Sequence, residues 1–201
     1  VLPAARNLRE VTYADILALP ENVVGEIIDG DLIVSPRPAV AHALASSNLG
    51  GELFSPFLKG RGGPGGWWIF DEPELHLGRH VLVPDLAGWR RERMPVPPST
   101  AFFTLEPDWV CEVLSPASGR IDRVKKLRIY REQGVTWAWL VDPLQQTLEV
   151  FQSDGEKWTV AGIYGGNEVV RAVPFDAVKI ELTSLWIPEV PVEGDAGKPA
   201  E

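Results

Sequence analysis

The run Val110-Cys111-Glu112-Val113-Leu114-Ser115-Pro116, followed by Asp122-Arg123-Val124-Lys125-Lys126-Leu127, decides how the chain is read. A short apolar run with β-branched residues predicts a buried strand. Glu112 interrupts it, and an ionised carboxylate is costly there unless a cation pairs with it. Asp85 interrupts the apolar run His80 to Trp89 in the same way, 27 positions earlier. Two strands of this kind could bring both acids to one point. Like charges at close range raise each other's pKa unless a cation intervenes. A hard divalent ion is the simplest such cation, since Mg²⁺ takes oxygen ligands and commonly uses one or two carboxylates plus waters. Phosphate chemistry follows as the expectation.

Outward from this stretch, the next segment predicts a helix. Asp122 reads as its N-cap, Val124, Leu127 and Tyr130 share a face, and Gly134 ends it. Lys126 falls on the border of that face and can point inward, while Lys125 lies opposite. Val135 to Val141 then reads as a strand at the centre of a covered sheet, closed by Asp142-Pro143. Thr147 to Gln152 and Lys157 to Tyr164 extend it through antiparallel hairpins, and a last strand lies near Val178 to Leu182.

Upstream, Thr12 caps a short helix over Tyr13 to Leu19, stopped by Pro20. Val23 to Ile28, the pair Asp29-Gly30, and Asp31 to Val34 give a hairpin. Glu26 lies within its first strand, where a solvent-facing position is the simple expectation. Pro38 to Lys59 reads as the longest helix, weakened by Gly50-Gly51. Gly60 to Gly66 lacks the lysine-serine ending and context of a phosphate-cradling loop and reads as a plain flexible loop. Trp67 to Phe70, Glu74 to Leu77 and His80 to Trp89 read as a meander. His76 and His80 flank its turn rather than share a helical face, so a two-histidine metal site is not expected.

The 201 residues suit one domain over 1–187, with the Pro-, Gly- and acid-rich segment 188–201 reading as a disordered tail. The formal charge of −9 opposes strong nonspecific binding to a nucleic-acid polyanion unless basic residues gather locally. Arg90, Arg91, Arg93, Arg120, Arg123, Lys125, Arg128 and Arg131 surround the two acidic motifs in sequence and could form such a rim. Cys111 is alone, so no intrachain disulfide forms. No run approaches the roughly 18 apolar residues of a membrane span, and residues 1–10 lack a signal-peptide core. A cytoplasmic protein with no membrane partner is expected. Ser-His-Asp, zinc and dinucleotide signatures are missing from the sequence.

Taken in order, Glu26 with Asp29-Gly30, His42, Pro84-Asp85, Glu112-Val113-Leu114-Ser115-Pro116, Asp122 with Lys126, Tyr130, Gly134-Val135 and Trp139 to Pro143 resemble the Uma-two family of bacterial restriction-endonuclease-like proteins. The match covers Tyr13 to Phe151. It implies a PD-(D/E)XK nuclease fold of the α/β (α+β) class: a restriction-endonuclease-like central mixed β-sheet flanked by helices, with additional antiparallel hairpins. Asp85 matches the motif aspartate and Glu112 the second acid. The usual lysine two positions after that acid is Leu114 here, and Lys126 matches the family's displaced lysine. Glu26 matches a further acid, and His42 a histidine with no assigned role. The resemblance implies that Asp85, Glu112 and the Val113 carbonyl hold Mg²⁺, with Mn²⁺ as a substitute, and that Lys126 serves the reaction on a DNA substrate. The alternative keeps the fold without catalysis, as a module for protein interaction or oligomerisation whose acids form an ion-pair network with Lys126. A metal-dependent hydrolase of another phosphoester is a third class. The tryptophan-rich strands leave a homodimer open.

Overall fold

The computed structural model describes residues 10–35 and 37–188. The tail expected from residue 188 lies, from 189 on, outside the described residues, as do residues 1–9.

Two sheets carry the fold. The larger has the order β10-β9-β8-β7-β6-β3, built from β3 (Trp67–Asp71), β6 (Leu86–Arg90), β7 (Trp109–Val113), β8 (Trp137–Asp142), β9 (Thr147–Ser153) and β10 (Trp158–Gly165). Only β7 and β8 run parallel, with Glu112 opposite Leu140, so the sheet is mixed. These two central strands are almost wholly buried because both faces are covered. On one face Trp109, Cys111, Val113, Trp139 and Val141 pack against α2 (Val40–Leu53) through Ala45, Leu49 and Leu53. On the other, Val110, Leu114, Ala138 and Leu140 meet Leu127, Ile129 and Tyr130. The period of two along β7 therefore turns Glu112 toward the second face.

The smaller sheet, β2-β1-β5-β4, contains β1 (Val24–Ile28), β2 (Asp31–Ser35), β4 (Leu75–Leu77) and β5 (His80–Leu82). Its β1–β2 hairpin turns on Asp29 and Gly30, both at positive φ (55° and 85°), as an Asp-Gly pair does in a primed turn. A capping box of Thr12 and Asp15 starts α1 (Tyr13–Leu17). A two-stranded ribbon, β11 (Val169–Val170) with β12 (Ile180–Glu181), completes the strands.

The expected meander from Trp67 to Trp89 is instead divided between the sheets. His80 to Leu82 pairs with β1 and β4, whereas Leu86 to Arg90 pairs with β3 and β7. Pro84 lies between them and has no N–H to offer a ladder, so the chain changes sheet there. His76 and His80 do flank the intervening hairpin.

The helix after β7 also differs in detail. It begins before Asp122 with α3 (Gly119–Ile121), passes through a π-helical turn (Asp122–Lys126), and continues as α4 (Leu127–Glu132). Asp122 is thus an internal residue, not the N-cap. The π turn inserts extra arc and rotates what precedes it, which leaves Val124 62% exposed while Leu127, Ile129 and Tyr130 stay buried. Gly134 (φ 91°) ends α4, with Val135 N–H donating to the Tyr130 carbonyl as in a C-terminal αL cap.

The loop 60–66 is held rather than loose. Arg61 N–H donates to Ser55 O and Gly65 N–H to Pro56 O, each at 2.9 Å, and Gly60, Gly62, Gly65 and Gly66 supply positive φ.

Candidate active site

Lys126 is the hub of the site. Its Nζ lies 2.8 Å from Glu26 Oε1, 3.2 Å from Glu112 Oε2 and 3.7 Å from Asp122 Oδ1, and its side chain is 5% exposed. Three elements deliver these groups: β1 brings Glu26, β7 brings Glu112, and the π turn brings Asp122 and Lys126 four positions apart. Tyr130, four further on, donates its hydroxyl to Glu112 Oε1 at 2.5 Å. Glu26 also accepts the Val83 N–H at 2.8 Å, which ties the small sheet to the segment where the chain changes sheet.

Asp85 stands at the mouth of β6. Continuing the β6–β7 register, in which Leu86 faces Cys111, sets Asp85 opposite Glu112. Its Oδ2 accepts the Val113 N–H at 2.6 Å and its Oδ1 lies 3.1 Å from His42 Nε2, in the first turn of α2. Val113 thus offers Asp85 its N–H. His42 Nδ1 is buried and unpartnered among the described residues. Beyond β7, a cleft of about 140 Å³ is lined by Ser115, Pro116, Gly119, Arg123 and Asp142, at the carboxyl ends of the two parallel strands.

The electrostatics follow from burial and crowding. Burial pushes the Glu112 carboxyl well above its ordinary range; Lys126 opposes this, but Asp122, Asp85 and Glu26 add to it. Asp122 is raised by burial too, against Lys126. Burial pulls Lys126 down, yet Glu112, Glu26 and Asp122 outweigh it and hold the ammonium well above its usual value. Burial and the Glu112 charge keep the Tyr130 phenol protonated as a donor. Burial lowers His42, and Asp85 more than compensates, so its pKa is raised.

The structure brings Glu26, Glu112 and Lys126 together as a directly bonded set and overturns the solvent-facing expectation for Glu26, which is 5% exposed. Asp85 and Val113 are joined to that set through the strand pair. Asp122 and Tyr130 join the network beyond the capping and packing roles that their sequence positions suggest. The i, i+4, i+8 spacing of Asp122, Lys126 and Tyr130 carried the signal. His42 acquires a partner in Asp85. Of the arginines around the motifs, Arg93 is engaged by Glu106 and Asp108, Arg123 by Glu149, and Arg128 by Asp29 and Glu132. Much of the expected basic rim is therefore already neutralised.

Among the described residues no group of three or more His, Cys, Asp or Glu side chains is spaced to hold a metal ion together. Two carboxylates with a main-chain carbonyl are nonetheless a donor set of the type Mg²⁺ uses, with waters and substrate oxygens filling the rest. The surplus of carboxylates over buried cations fits a divalent ion as well.

A family model described as "Uma2: Putative restriction endonuclease" matches residues 13–183. The chain belongs to this family. Its fold is similar to that of a solved protein from Anabaena variabilis described as a putative nuclease belonging to DUF820, at 26% identity and a TM-score of 0.69, covering 87% of this chain and 97% of that one. No match was found among curated proteins. Membership in the family makes the chain restriction-endonuclease-like in fold and nuclease-like in class. No helix among the described residues is long and apolar enough to cross a membrane.

Proposed function

We propose that the protein is a metal-dependent endonuclease that hydrolyses phosphodiester bonds in DNA, using Mg²⁺ or, in its place, Mn²⁺. The observation that supports this most is the charge imbalance of the centre: Glu26, Glu112 and Asp122 gather around one buried ammonium, and Asp85 adds its charge beside Glu112. Asp85, Glu112 and the Val113 carbonyl would hold the ion. When bound, it supplies polarisation of the scissile phosphate and a water of lowered pKa.

The chain's own residues do the rest. Val113 N–H and His42 fix the Asp85 carboxylate, and Tyr130 fixes one Glu112 oxygen. Lys126, held charged by its carboxylate neighbours, acts as a hydrogen-bond donor that stabilises charge growing on the phosphate oxygens. It is not a general base. Glu26 positions Lys126. The buried thiol of Cys111, raised well above its usual pKa by burial, is inert and suits a reducing cytoplasm. We place the described residues up to 187 in one domain, since Glu26, Val83 and Lys126 link both sheets, and a homodimer would serve to cut both strands.

One feature favours a second reading, a noncatalytic module for protein interaction or oligomerisation. Lys126 is closed off by three carboxylates and almost unexposed. Closed-circular DNA and single-stranded DNA incubated with Mg²⁺, Mn²⁺ or a chelator separate the two. Nicked and linear products that need the divalent ion support the nuclease; intact DNA under every condition leaves the second reading in place.

A further inference from the structure

We propose that the corner made by loop 59–66 and the adjoining ends of β3 and β6 is a docking surface for the phosphate backbone of duplex DNA, apart from the acidic centre. This docking role rests on the DNA-cutting reading above and adds where the flanking substrate is held.

From Leu53 to Phe70 the chain carries no Asp or Glu, although acids number 28 in 201 residues. Lys59 and Arg61 lie within that stretch, and both are exposed. The β3–β6 register sets Arg90 opposite Trp67, and Arg91 follows it. Four cations thus meet at one end of the sheet, with Glu92 as the adjoining carboxylate.

Their partners set them apart from four cations near the acidic motifs. Arg93, Arg123, Lys125 and Arg128 are each paired with carboxylates. Arg90 instead lies over the Trp67 ring at 4.8 Å, and Arg91 over Trp68 at 4.0 Å. Arg91 also donates to the Leu58 and Trp67 carbonyls, which aligns it without neutralising it. None of the four has an ion-pair partner among the described residues. Their charge is left for an outside anion, and stacking on indole restricts the guanidinium motion that binding would otherwise have to freeze.

The loop itself is preorganised. Lys59, Arg61 and Gly65 N–H groups bond back to Phe54, Ser55 and Pro56 carbonyls. At Gly63 an added Cβ would come 2.4 Å from Pro56 Cβ, so the loop packs tightly against the helical turn Phe54–Leu58 that follows α2. A held loop backbone and two stacked guanidinium groups lower the entropy lost on meeting a regular polyanion.

The separation suits one duplex. β6 covers five residues from Leu86, beside Asp85, to Arg90. At about 3.4 Å per residue this is roughly 17 Å, close to five base pairs of B-DNA. Phosphates flanking a scissile bond at Asp85 can therefore reach the corner. A local patch of this kind also answers how a chain of charge −9 holds a polyanion.

The test uses the full chain carrying Asp85→Ala, so that DNA stays intact, and a labelled duplex followed by fluorescence anisotropy across a NaCl series without divalent ions. One variant adds Lys59→Gln, Arg61→Gln and Arg90→Gln. A control adds Lys157→Gln, Arg171→Gln and Lys179→Gln, which changes net charge equally at exposed positions elsewhere. The expected result is weaker binding by the first variant, with a salt slope shallower by about 0.9 for each lost phosphate contact, up to roughly 2.7 for three. The control should keep the parental slope. Equal losses in both, unchanged binding in the first, or binding to anionic lipid vesicles but not to DNA would overturn the docking surface. Cleavage by the protein with native Asp85 is scored separately. Loss of duplex binding in a protein that never cuts leaves the surface standing and refutes the nuclease. Undiminished binding in a protein that cuts refutes only the surface.

Discussion

Lys126 is the residue on which the site's stability turns. Its ammonium is desolvated, and three carboxylates repay that cost by direct contact. Lys126→Met fills similar volume but leaves those acids without their cation, and should destabilise the fold by about 3 to 5 kcal/mol, read from urea unfolding. A loss below the cost of an ordinary surface change would mean the acids are already neutral. Asp29 offers a cleaner electrostatic test. A hydrogen bond from Arg128 holds its carboxyl below the usual range. A folded pKa depressed in this way adds stability above the unfolded value of about 3.9, and that stability disappears as pH falls through the folded value. Asp29→Asn keeps a residue that tolerates the turn's positive φ. It should cost at most about 1 kcal/mol at neutral pH, because the pair is partly exposed, and the difference should vanish in acid. A cost unchanged at low pH would assign it to the turn instead.

At the scale of elements, the helix after β7 makes the sharpest prediction. Its π turn puts Val124 in solvent and Ile129 in the core. Val124→Ser should change stability by less than about 0.5 kcal/mol, whereas Ile129→Ala should cost about 2 to 5 kcal/mol in thermal or urea denaturation. The reverse order would restore the regular helical phase that Val124, Leu127 and Tyr130 suggest in sequence. On β6, Gly88 leaves room for two indoles: an added Cβ would lie 3.2 Å from both Trp109 and Trp67. Gly88→Ala should cost about 1 to 3 kcal/mol by the same measurement, and a neutral result would show that the rings can shift. These elements also mark what sequence can and cannot convey. The Asp29-Gly30 hairpin and the apolar strands β7 and β8 are legible because turn chemistry and burial leave local patterns. The helix phase is not, because a π turn alters the period without a distinctive residue. The change of sheet at Pro84 hides inside one continuous apolar run, marked only by a missing N–H. Asp85, Glu112 and Lys126 stand out as polar misfits, but the burial of Glu26 depends on a lysine far along the chain and has no local signature.

Across the whole molecule, two sheets meet where one buried lysine joins β1, β7 and the following helix, and this junction is also where negative charge accumulates. A divalent ion that binds there should stabilise the native state by mass action, about 2.7 kcal/mol at a hundredfold excess over Kd. Thermal unfolding with and without Mg²⁺ should show that gain in the native protein and lose it in Asp85→Asn. Equal gains in both would place the ion elsewhere. If Asp85, Glu112 and Lys126 act as the one catalytic set proposed above, single-turnover cleavage of DNA under saturating Mg²⁺ depends on all three. Asp85→Asn, Glu112→Gln and Lys126→Met, each first checked for folding by circular dichroism, should all cut at least about 100-fold more slowly than the native protein. Folded variants that cut at the native rate would contradict it.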